Sequence, residues 1–242
     1  MRICITGERG RLGKEVCKVF KEDLSFVDKQ MDIRNSDRVS EVVKEYKPDI
    51  IIHLAALTSV TQCEENKKLA WDTNVIGTMN LINACERYVP NTYFILMSTP
   101  CVFDGNDKKA KDEDSFYKPD NYYGFTKAVS EQFLLNSKLK KRLIIRANFV
   151  PYEKYPHKKA FKDRYSNYLF AHQIANKIKR LIKKKTEGIV HICGDKVMSM
   201  FQLARLCPDS GNIKPIRLNN QNLTKYMILS SKRLKPIKIS KP

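Results

Sequence analysis

The stretch ICITGERGRLG, residues 3–13, joins a short apolar run to three glycines at Gly7, Gly10 and Gly13. Glycine tolerates the positive φ of a tight turn, and its missing Cβ lets the backbone approach a phosphate and lets a helix pack closely on a strand. The residues that follow repeat an apolar side chain every four positions, the spacing of one helix face. This succession predicts a β-α-β unit with a pyrophosphate-binding turn at the N-terminus of its helix.

Residues up to about 150 continue the alternation of β-rich runs and helical periods, which is typical of parallel sheets. Thr61 and Glu64 have the spacing of a capping box and predict a long helix towards Glu86. The predicted strands are Arg2–Thr6, Leu24–Asp28, Asp49–Leu54, Tyr93–Ser98 and Leu143–Arg146. Several of them are almost entirely apolar, as expected when both faces of a sheet are covered. The sequence therefore predicts an α/β fold with a Rossmann-like doubly wound parallel sheet over residues 1–150.

Residues 151–242 predict a small, basic substrate-binding lobe that is interwoven with the first part. Its expected elements are a helix around Tyr168–Lys185, a strand near Gly188–Cys193 and a short helix near Ser199–Leu206. Residues 1–136 carry 19 basic and 21 acidic side chains, a net charge of −2, whereas residues 137–242 carry 26 and 5, a net charge of +21. The whole excess of positive charge therefore lies in the C-terminal part.

The composition excludes several classes of protein. With 42% hydrophobic and 29% charged residues among 242, the chain can bury a core. The longest mainly apolar run, Ile50–Leu57, is too short to span a membrane, and the first ten residues lack the apolar region of a signal peptide. Seven scattered cysteines without a C-x-x-C pair indicate reduced thiols in the cytoplasm, and they predict neither a disulfide framework nor a metal site.

The glycine turn and its surroundings predict a site for NADPH or NADH and leave that choice open. Asp28 ends the second predicted strand, where a carboxylate accepts a hydrogen bond from the adenosine ribose and favours NAD. Arg9, Arg11 and Lys29 offer positive charge to a 2′-phosphate and favour NADP. The remaining expected contacts of the turn and the adenine pocket are Leu12, Asp32 and Ile33.

The segment NYYGFTK places Tyr123 and Lys127 four residues apart, on one face of a predicted helix. A nearby ammonium, together with an oxidised nicotinamide, favours the phenolate and lowers the pKa of the tyrosine from about 10 towards neutrality. An acid tuned in this way gives its proton to a carbonyl oxygen while hydride arrives at the carbon. Thr99 ends the fourth predicted strand, at the sheet edge where ligands bind, and is placed to hold the same oxygen.

The pieces TGERGRLG, MDIRN, PDIIIHLAALTSV, WDTNVIGT, MSTPCVFDG and YYGFTK follow the order of similar motifs in the extended short-chain dehydrogenase/reductase family. Within that family the chain resembles dTDP-4-dehydrorhamnose reductases. The resemblance implies NAD(P)H-dependent reduction of the 4-keto group of a nucleotide-linked 6-deoxyhexose, of the dTDP- or UDP-4-keto-rhamnose type, in deoxysugar biosynthesis. It implies Thr99, Tyr123 and Lys127 as the catalytic set. The cofactor-edge or structural positions that it adds are Ala55, Ala56 and Asn74.

Cys101 departs from the pattern of these reductases, which usually have a tyrosine at that place. A cysteine there resembles GDP-fucose and UDP-rhamnose synthases, which epimerise carbons 3 and 5 and also reduce carbon 4. A thiolate can remove a proton acidified by the carbonyl, and His157, Lys158 or Lys159 can supply the second acid. The other interpretation of Cys101 is a small buried residue. The substrate contacts that we expect are Thr58, Val102, Asn148 and His157.

Two further expectations concern partners. The lysine-rich run at Asn176–Lys185 invites a nucleic-acid interpretation, but an apolar face at helical spacing predicts that its lysines are only the solvated side of a helix. We expect the positive charge to gather a nucleotide-sugar diphosphate and a dinucleotide instead. The family resemblance also implies a homodimer, and it leaves open a second function, a non-catalytic dinucleotide-binding regulatory subunit.

Overall fold

The structure is a computed structural model that describes residues 1–21 and 31–242. The predicted strand Leu24–Asp28 and its neighbour Lys29 lie outside the described residues. The elements of the N-terminal part are, in chain order, β1 (Ile3–Thr6), α1 (Arg11–Val19), α2 (Ser36–Tyr46), β2 (Ile50–His53), α3 (Val60–Glu65), α4 (Lys67–Trp71), a π-helical turn (Asp72–Ile76), α5 (Gly77–Tyr88), β3 (Tyr93–Ser98), a 3-10 turn (Pro100–Val102), α6 (Tyr122–Leu135) and β4 (Lys141–Ala147).

The C-terminal part has one long helix and several short strands. Its elements are β5 (Phe149–Val150), β6 (Lys159–Phe161), β7 (Tyr165–Ser166), β8 (Leu169–Phe170), α7 (Ala171–Lys183), β9 (Gly188–Ile192), β10 (Met198–Ser199), α8 (Met200–Ala204), β11 (Lys214–Ile216) and β12 (Tyr226–Met227). The short strands pair in three small sheets, in the orders β10-β7-β12, β11-β6 and β5-β8.

Among the described residues the central sheet has five parallel strands in the order β1-β2-β3-β4-β9. Its register pairs Ile5 with Ile52 and Ile52 with Ile95, so buried β-branched residues lie side by side across the strands. The predicted doubly wound parallel sheet is confirmed. The fifth strand, β9, comes from the C-terminal part of the chain, so that part completes the sheet.

Helices cover both faces of this sheet. Alternate residues of each strand point to opposite faces, and each face has its own core. On one face Ile3 and Ile145 pack with α1 and α7, through side chains such as Val16 and Ile178. On the other face, strand residues such as Cys4, Ile51 and Phe94 pack with α2, α5 and α6. The apolar side of α7 is therefore a core element, as its sequence predicts.

Three predicted helix boundaries are wrong. Ser59, not Thr61, caps α3, because its hydroxyl accepts the Gln62 N–H at 3.3 Å. The predicted continuous helix is broken at Asn66, whose side chain caps α4. In the C-terminal part α7 begins at Ala171, since the preceding residues, Leu169–Phe170, pair with β5 as a strand. Side-chain capping and strand pairing decided these boundaries, and neither follows from apolar spacing.

Within residues 1–21 and 31–242, no helix combines the length and the apolar character that crossing a membrane requires.

Candidate active site

The glycine turn lies between β1 and α1 at the carboxyl edge of the sheet. Gly7 has a φ of +74°, and a Cβ there would lie 2.6 Å from the Ala55 nitrogen. A Cβ on Gly13 would lie 2.1 Å from the carbonyl oxygen of Gly7. Gly10 is the N-cap of α1 and offers no side chain to its first turn. The backbone N–H groups at this helix start are thus available to an anion, which fits a pyrophosphate cradle.

A cleft of about 840 Å³, the main cleft, runs from this turn along the carboxyl ends of the strands. It collects most of the side chains that the sequence singles out. The predicted site residues that line it are Gly7, Arg9, Gly10, Arg11, Leu12, Gly13, Asp32, Ile33, Ala55, Ala56, Thr58, Thr99, Cys101, Tyr123, Lys127 and Asn148. Most of the expected cofactor residues and the expected acid therefore share one space.

Other expected site residues lie elsewhere. Val102 is fully buried in the 3-10 turn and packs in a small core beside the cleft. Asn74 is 1% exposed and lies behind the cleft wall. His157 and Lys159 line a separate cavity, and Asp28 lies outside the described residues. Conversely, the C-terminal lobe contributes to the main cleft three residues that the sequence analysis missed, because no local motif marks them: Arg164, Met200 and Met227.

Tyr123 and Thr99 form the acid end of the main cleft. Tyr123 follows the N-cap Asn121, whose side chain accepts the Gly124 N–H at 2.8 Å and so fixes the start of α6. Burial raises the pKa of Tyr123, the nearby Cys101 thiol acts in the same direction, and a hydrogen bond with Thr99 opposes them. In the protein alone, desolvation of the phenol dominates, and the lowering that we expect from Lys127 together with an oxidised nicotinamide stays a prediction. A phenol in this state keeps its proton until an acceptor arrives.

Lys127 lies one helical turn further along α6 and is 2% exposed. Burial lowers its pKa to about 8, and the charge of Glu131, a turn further on, raises it in part. Lys127 in turn contributes to the lowered pKa of His53 on β2, after burial of the imidazole. The ammonium is therefore held in a dry wall of the cleft, where its charge acts with little screening.

A chain of buried hydrogen bonds joins the first two strands to the helices behind the cleft. The Thr78 hydroxyl donates to the Asn74 carbonyl oxygen at 2.6 Å, so it accepts from His53 Nε2, 2.9 Å away. The other ring nitrogen, Nδ1, is then unprotonated and accepts from the Thr6 hydroxyl at 2.7 Å. Burial lowers the pKa of His53 to about 3, so the ring stays neutral in this chain.

The chain continues from Asn74 to the helix of the acid. The Asn74 amide oxygen accepts the Leu57 N–H at 2.7 Å, and its Nδ2 donates to the Thr126 hydroxyl at 3.0 Å. Thr126 donates to the carbonyl oxygen of Tyr123 at 2.8 Å. Asn74 therefore connects the loop after β2 to the first turns of α6. Of the two roles expected for it, cofactor edge or structural position, this contact fits the structural one.

Two charged residues near the adenine end of the main cleft are already paired. Arg34 donates to the Asp32 carboxylate at 2.9 and 2.6 Å, and these hydrogen bonds lower the pKa of Asp32. Arg9 lies 3.4 Å from Glu8 and is mostly exposed.

A second cavity of about 490 Å³, the side cavity, adjoins the main cleft. Arg11 and Arg164 line both spaces. The side cavity also holds Lys154, His157 and Lys159, against a single acidic residue among its lining side chains. Its chemistry suits an anionic ligand that extends from the main cleft.

The described residues contain no group of three or more His, Cys, Asp or Glu side chains that could hold a metal ion.

A glycine cradle at a helix N-terminus, with a tyrosine, a lysine and a threonine at the same sheet edge, defines a Rossmann-like domain of the short-chain dehydrogenase/reductase type.

Comparison with known proteins identifies the family. The family described as RmlD substrate binding domain matches residues 1–241, and the chain belongs to that family. A dTDP-4-dehydrorhamnose reductase from Aggregatibacter actinomycetemcomitans is 33% identical over 154 residues, which cover 62% of this chain and 51% of that protein. The spore coat polysaccharide biosynthesis protein SpsK from Bacillus subtilis is 32% identical over 153 residues, which cover 62% and 53%. The matched region thus spans about half the length of these curated relatives.

Solved structures match over nearly the whole chain. A dTDP-4-dehydrorhamnose reductase from Bacillus anthracis, in complex with NADP, superposes with a TM-score of 0.83 at 28% identity, covering 95% of this chain and 90% of that one. A dTDP-4-dehydrorhamnose reductase from Clostridium acetobutylicum gives 0.84 at 27% identity, with the same coverage. A Thermus thermophilus UDP-glucose 4-epimerase complex with NAD gives 0.80 at 17% identity, covers 95% and 90%, and supports the fold alone.

Proposed function

We propose that this protein reduces the 4-keto group of a nucleotide-linked 4-keto-6-deoxyhexose with NADPH or NADH. The observation that carries the proposal is that Tyr123, Lys127 and Thr99 line the same cleft as the glycine turn. The family, and the relatives named as reductases of this type, support the same reaction. Bound in this cleft, a reduced nicotinamide would supply hydride to the ketone carbon.

Three residues of the chain then protonate and hold the ketone oxygen and stabilise the phenolate that remains. Tyr123 holds its proton because burial raises the pKa of its phenol, and it gives that proton to the oxygen as negative charge develops there. Thr99, which lies within hydrogen-bond reach of Tyr123, turns its single hydroxyl proton from the phenol to the ketone oxygen and fixes its position. The Lys127 ammonium stabilises the phenolate that remains, because opposite charges in a dry site attract strongly.

The side cavity supports a substrate that carries a nucleoside diphosphate. Arg11 and Arg164 border both spaces, so a diphosphate between them would join a sugar in the main cleft to a nucleoside in the side cavity. Guanidinium groups suit phosphate because they offer several donors in a fixed plane. We propose a dTDP- or UDP-sugar, with His157 among the contacts of the nucleoside or diphosphate.

The test is turnover with a panel of substrates. The protein is incubated with the dTDP-, UDP- and GDP-linked 4-keto-6-deoxy sugars and NADPH or NADH, and loss of the reduced nicotinamide absorbance is followed. The proposal expects consumption with at least one nucleotide sugar. Dinucleotide binding without turnover of any of them would contradict it and would favour the alternative, a non-catalytic regulatory subunit.

We further propose that Cys101 supports epimerisation at carbons 3 and 5 before reduction. The thiol lines the main cleft beside Tyr123, with its sulfur 3.8 Å from the Met227 sulfur. A base at this place can remove a proton that the carbonyl acidifies. The test is solvent deuterium: wild type should incorporate it at these carbons, and Cys101→Ser should not, while still reducing an epimerised sugar. No incorporation by wild type would end this part of the proposal.

We also infer a homodimer through α6. Phe125 and Phe133 are 43% and 40% exposed and lie two turns apart on this helix, and Trp71 stacks on Phe125 with ring centroids 6.3 Å apart. Phe133→Glu should give a monomer by size exclusion with light scattering, whereas Lys140→Glu, an exposed change beyond the helix end, should leave the mass unchanged. A wild-type monomer would contradict the inference.

A further inference from the structure

Glu131 and Arg146 form a buried ion pair behind the main cleft. Both side chains are 0% exposed, and Arg146 Nη2 lies 2.6 Å from Glu131 Oε2. Arg146 Nε adds contacts of 3.1 Å to both carboxylate oxygens. The proposed reaction gives neither residue a task. Because replacing such a pair by apolar groups is often neutral or stabilising, stability alone is a weak reason for it.

Every polar atom of this centre has a defined partner. Tyr117 donates its hydroxyl to Glu131 Oε2 at 2.7 Å, and the Ser98 hydroxyl donates to Oε1. His191 Nδ1 lies 2.8 Å from the carbonyl oxygen of Ser230, which can only accept, so Nδ1 carries the proton. His191 Nε2 is then an acceptor for Arg146 Nη1 at 3.2 Å. The imidazole is therefore neutral, and the centre holds one negative and one positive charge.

Two aromatic rings shield this pair from water. The Arg146 guanidinium carbon lies 4.9 Å from the centroid of the Phe103 ring and 4.8 Å from that of Tyr117. Such contacts stabilise the cation without hydration. Arg146 in turn gives the buried Glu131 carboxylate the partner that a charged group needs inside a protein.

The centre reaches the proposed catalytic residues through two routes. Glu131 follows Lys127 by four residues on α6, so its carboxylate lies on the same helix face, one turn away. Ser98, bound to Glu131, precedes Thr99 at the end of β3. The carboxylate is thus a neighbour of the ammonium and an anchor for the strand end that carries the threonine.

We propose that Glu131 is a positioning residue: paired with Arg146, it keeps the Lys127 side chain charged and fixes the strand end that carries Thr99. The proposal rests on the proposed reduction for its purpose. The groups that act on or feel the charge of Lys127 are Glu131 on α6 and His53 on β2, and Tyr123 lies one helical turn before it on α6. The charged or titratable groups that face Glu131 are Lys127 on its own helix, Arg146 on β4, Tyr117 in the loop before α6, and His191 on β9.

Loss of the carboxylate charge has a defined sign. Without it the Lys127 ammonium loses its stabilising neighbour, so the pKa of Lys127 falls below its wild-type value of about 8. This change moves the alkaline loss of activity to lower pH.

The test needs no substrate. The holo protein, with NADP⁺ bound and ¹³C at lysine Cε, is titrated by NMR, with Lys127→Arg identifying the resonance. Glu131→Gln should lower the pKa of Lys127 by at least about half a unit. The matched control, Tyr117→Phe, removes a hydrogen bond from the same carboxylate without removing its charge, and should leave that pKa within about 0.2 units. An unchanged titration in folded Glu131→Gln overturns the proposal.

A second variant covers a folding failure of Glu131→Gln. The double variant Glu131→Gln/Arg146→Met removes both buried charges together and avoids a lone buried cation. It must lower the pKa of Lys127 in the same direction, and an unchanged value overturns the proposal. If a substrate is turned over, Glu131→Gln must also shift the alkaline limb of kcat/KM, whereas Ser98→Ala should lower kcat without that shift. If wild type turns over no substrate, that result contradicts the proposed reduction. It does not change the NMR result, which tests the role of Glu131 separately.

Discussion

At the scale of single residues, Gly13 shows most plainly how the chain makes room for a ligand. The space that its Cβ would occupy holds the carbonyl oxygen of Gly7, 2.1 Å away. That oxygen belongs to the turn itself and cannot swing aside as a side chain could. Any larger residue at position 13 must therefore displace the turn or the start of α1.

The first prediction follows from this clash. Gly13→Ala should weaken NADPH binding at least about tenfold and lower the melting temperature, because the turn must shift. Binding is measured by fluorescence titration and stability by thermal unfolding. Gly211→Ala is the control, since a Cβ at Gly211 meets nothing within 4 Å. Equal effects of the two changes would contradict the cradle.

His53 gives a pH dependence with a definite sign. Burial lowers its pKa to about 3 in the folded protein from 6.5. Between these values the unfolded chain binds a proton that the folded chain does not, so the free energy of unfolding decreases as pH falls through this window. The stabilising contribution is fully present above about pH 6.5.

The second prediction compares wild type with His53→Asn. Between pH 6.5 and 5, wild type should lose about 2 kcal/mol more of its free energy of unfolding than the variant, since each pKa unit corresponds to about 1.4 kcal/mol. Urea unfolding at each pH measures it. Parallel curves for wild type and His53→Asn would show that the imidazole titrates freely.

Which site residues could be predicted depended on how local their signal is. Gly7, Tyr123 and Lys127 belong to short motifs whose spacing is fixed by a turn or by one helix. Their relative positions can therefore be predicted from their spacing in the sequence. Arg164 and Met227 reach the main cleft from the C-terminal lobe. Their placement follows from the packing of distant segments, and no spacing within the sequence records it.

At the scale of elements, α7 separates its two chemical faces cleanly. Ile174, Ile178 and Leu181 are buried against the central sheet and α1, while Lys183 and Lys184 lie in solvent. The apolar period predicted this face from sequence. The predicted start of α7 is wrong, because the residues before Ala171 pair with β5 as a strand. The spacing of apolar residues within one helix contains no information about such pairing between separate segments.

The third prediction uses these two faces. Ile178→Ala should reduce the free energy of unfolding by about 3 kcal/mol, because it leaves a cavity between α7 and the sheet. Lys183→Ala, five residues further along and on the exposed face, should change it by less than about 0.5 kcal/mol. Urea unfolding measures both. A small loss for Ile178→Ala would mean that α7 does not belong to the core.

At the scale of the whole molecule, the uneven distribution of charge bears on ligand binding only where the basic side chains line a cavity. Residues 137–242 carry a net charge of +21, most of it spread over the surface. Arg164 is different, because together with Arg11 at the start of α1 it stands between the main cleft and the side cavity. The sequence predicts a basic lobe but does not show that Arg164 is the cation of that lobe that lines both cavities.

The fourth prediction separates local from diffuse charge. Arg164→Gln should weaken binding of a nucleoside diphosphate such as dTDP at least about tenfold, because a charge-assisted hydrogen bond contributes about 1.5–3 kcal/mol. Lys162→Gln removes the same charge two residues away, outside the lining of both cavities, and should change binding less than about twofold. Calorimetry at fixed ionic strength measures both. Equal losses would assign the affinity to overall charge alone.

The proposed reduction is tested most directly by removing one oxygen atom, the hydroxyl oxygen of Tyr123. Wild type and Tyr123→Phe are mixed with a 4-keto-6-deoxy nucleotide sugar that the wild type consumes, and oxidation of NADPH is followed in a single turnover. Loss of the phenol should slow the reaction at least about 100-fold, because no other group donates the proton, while the affinity for NADPH stays within about twofold. Equal rates in the two proteins would contradict the role of Tyr123 as the acid.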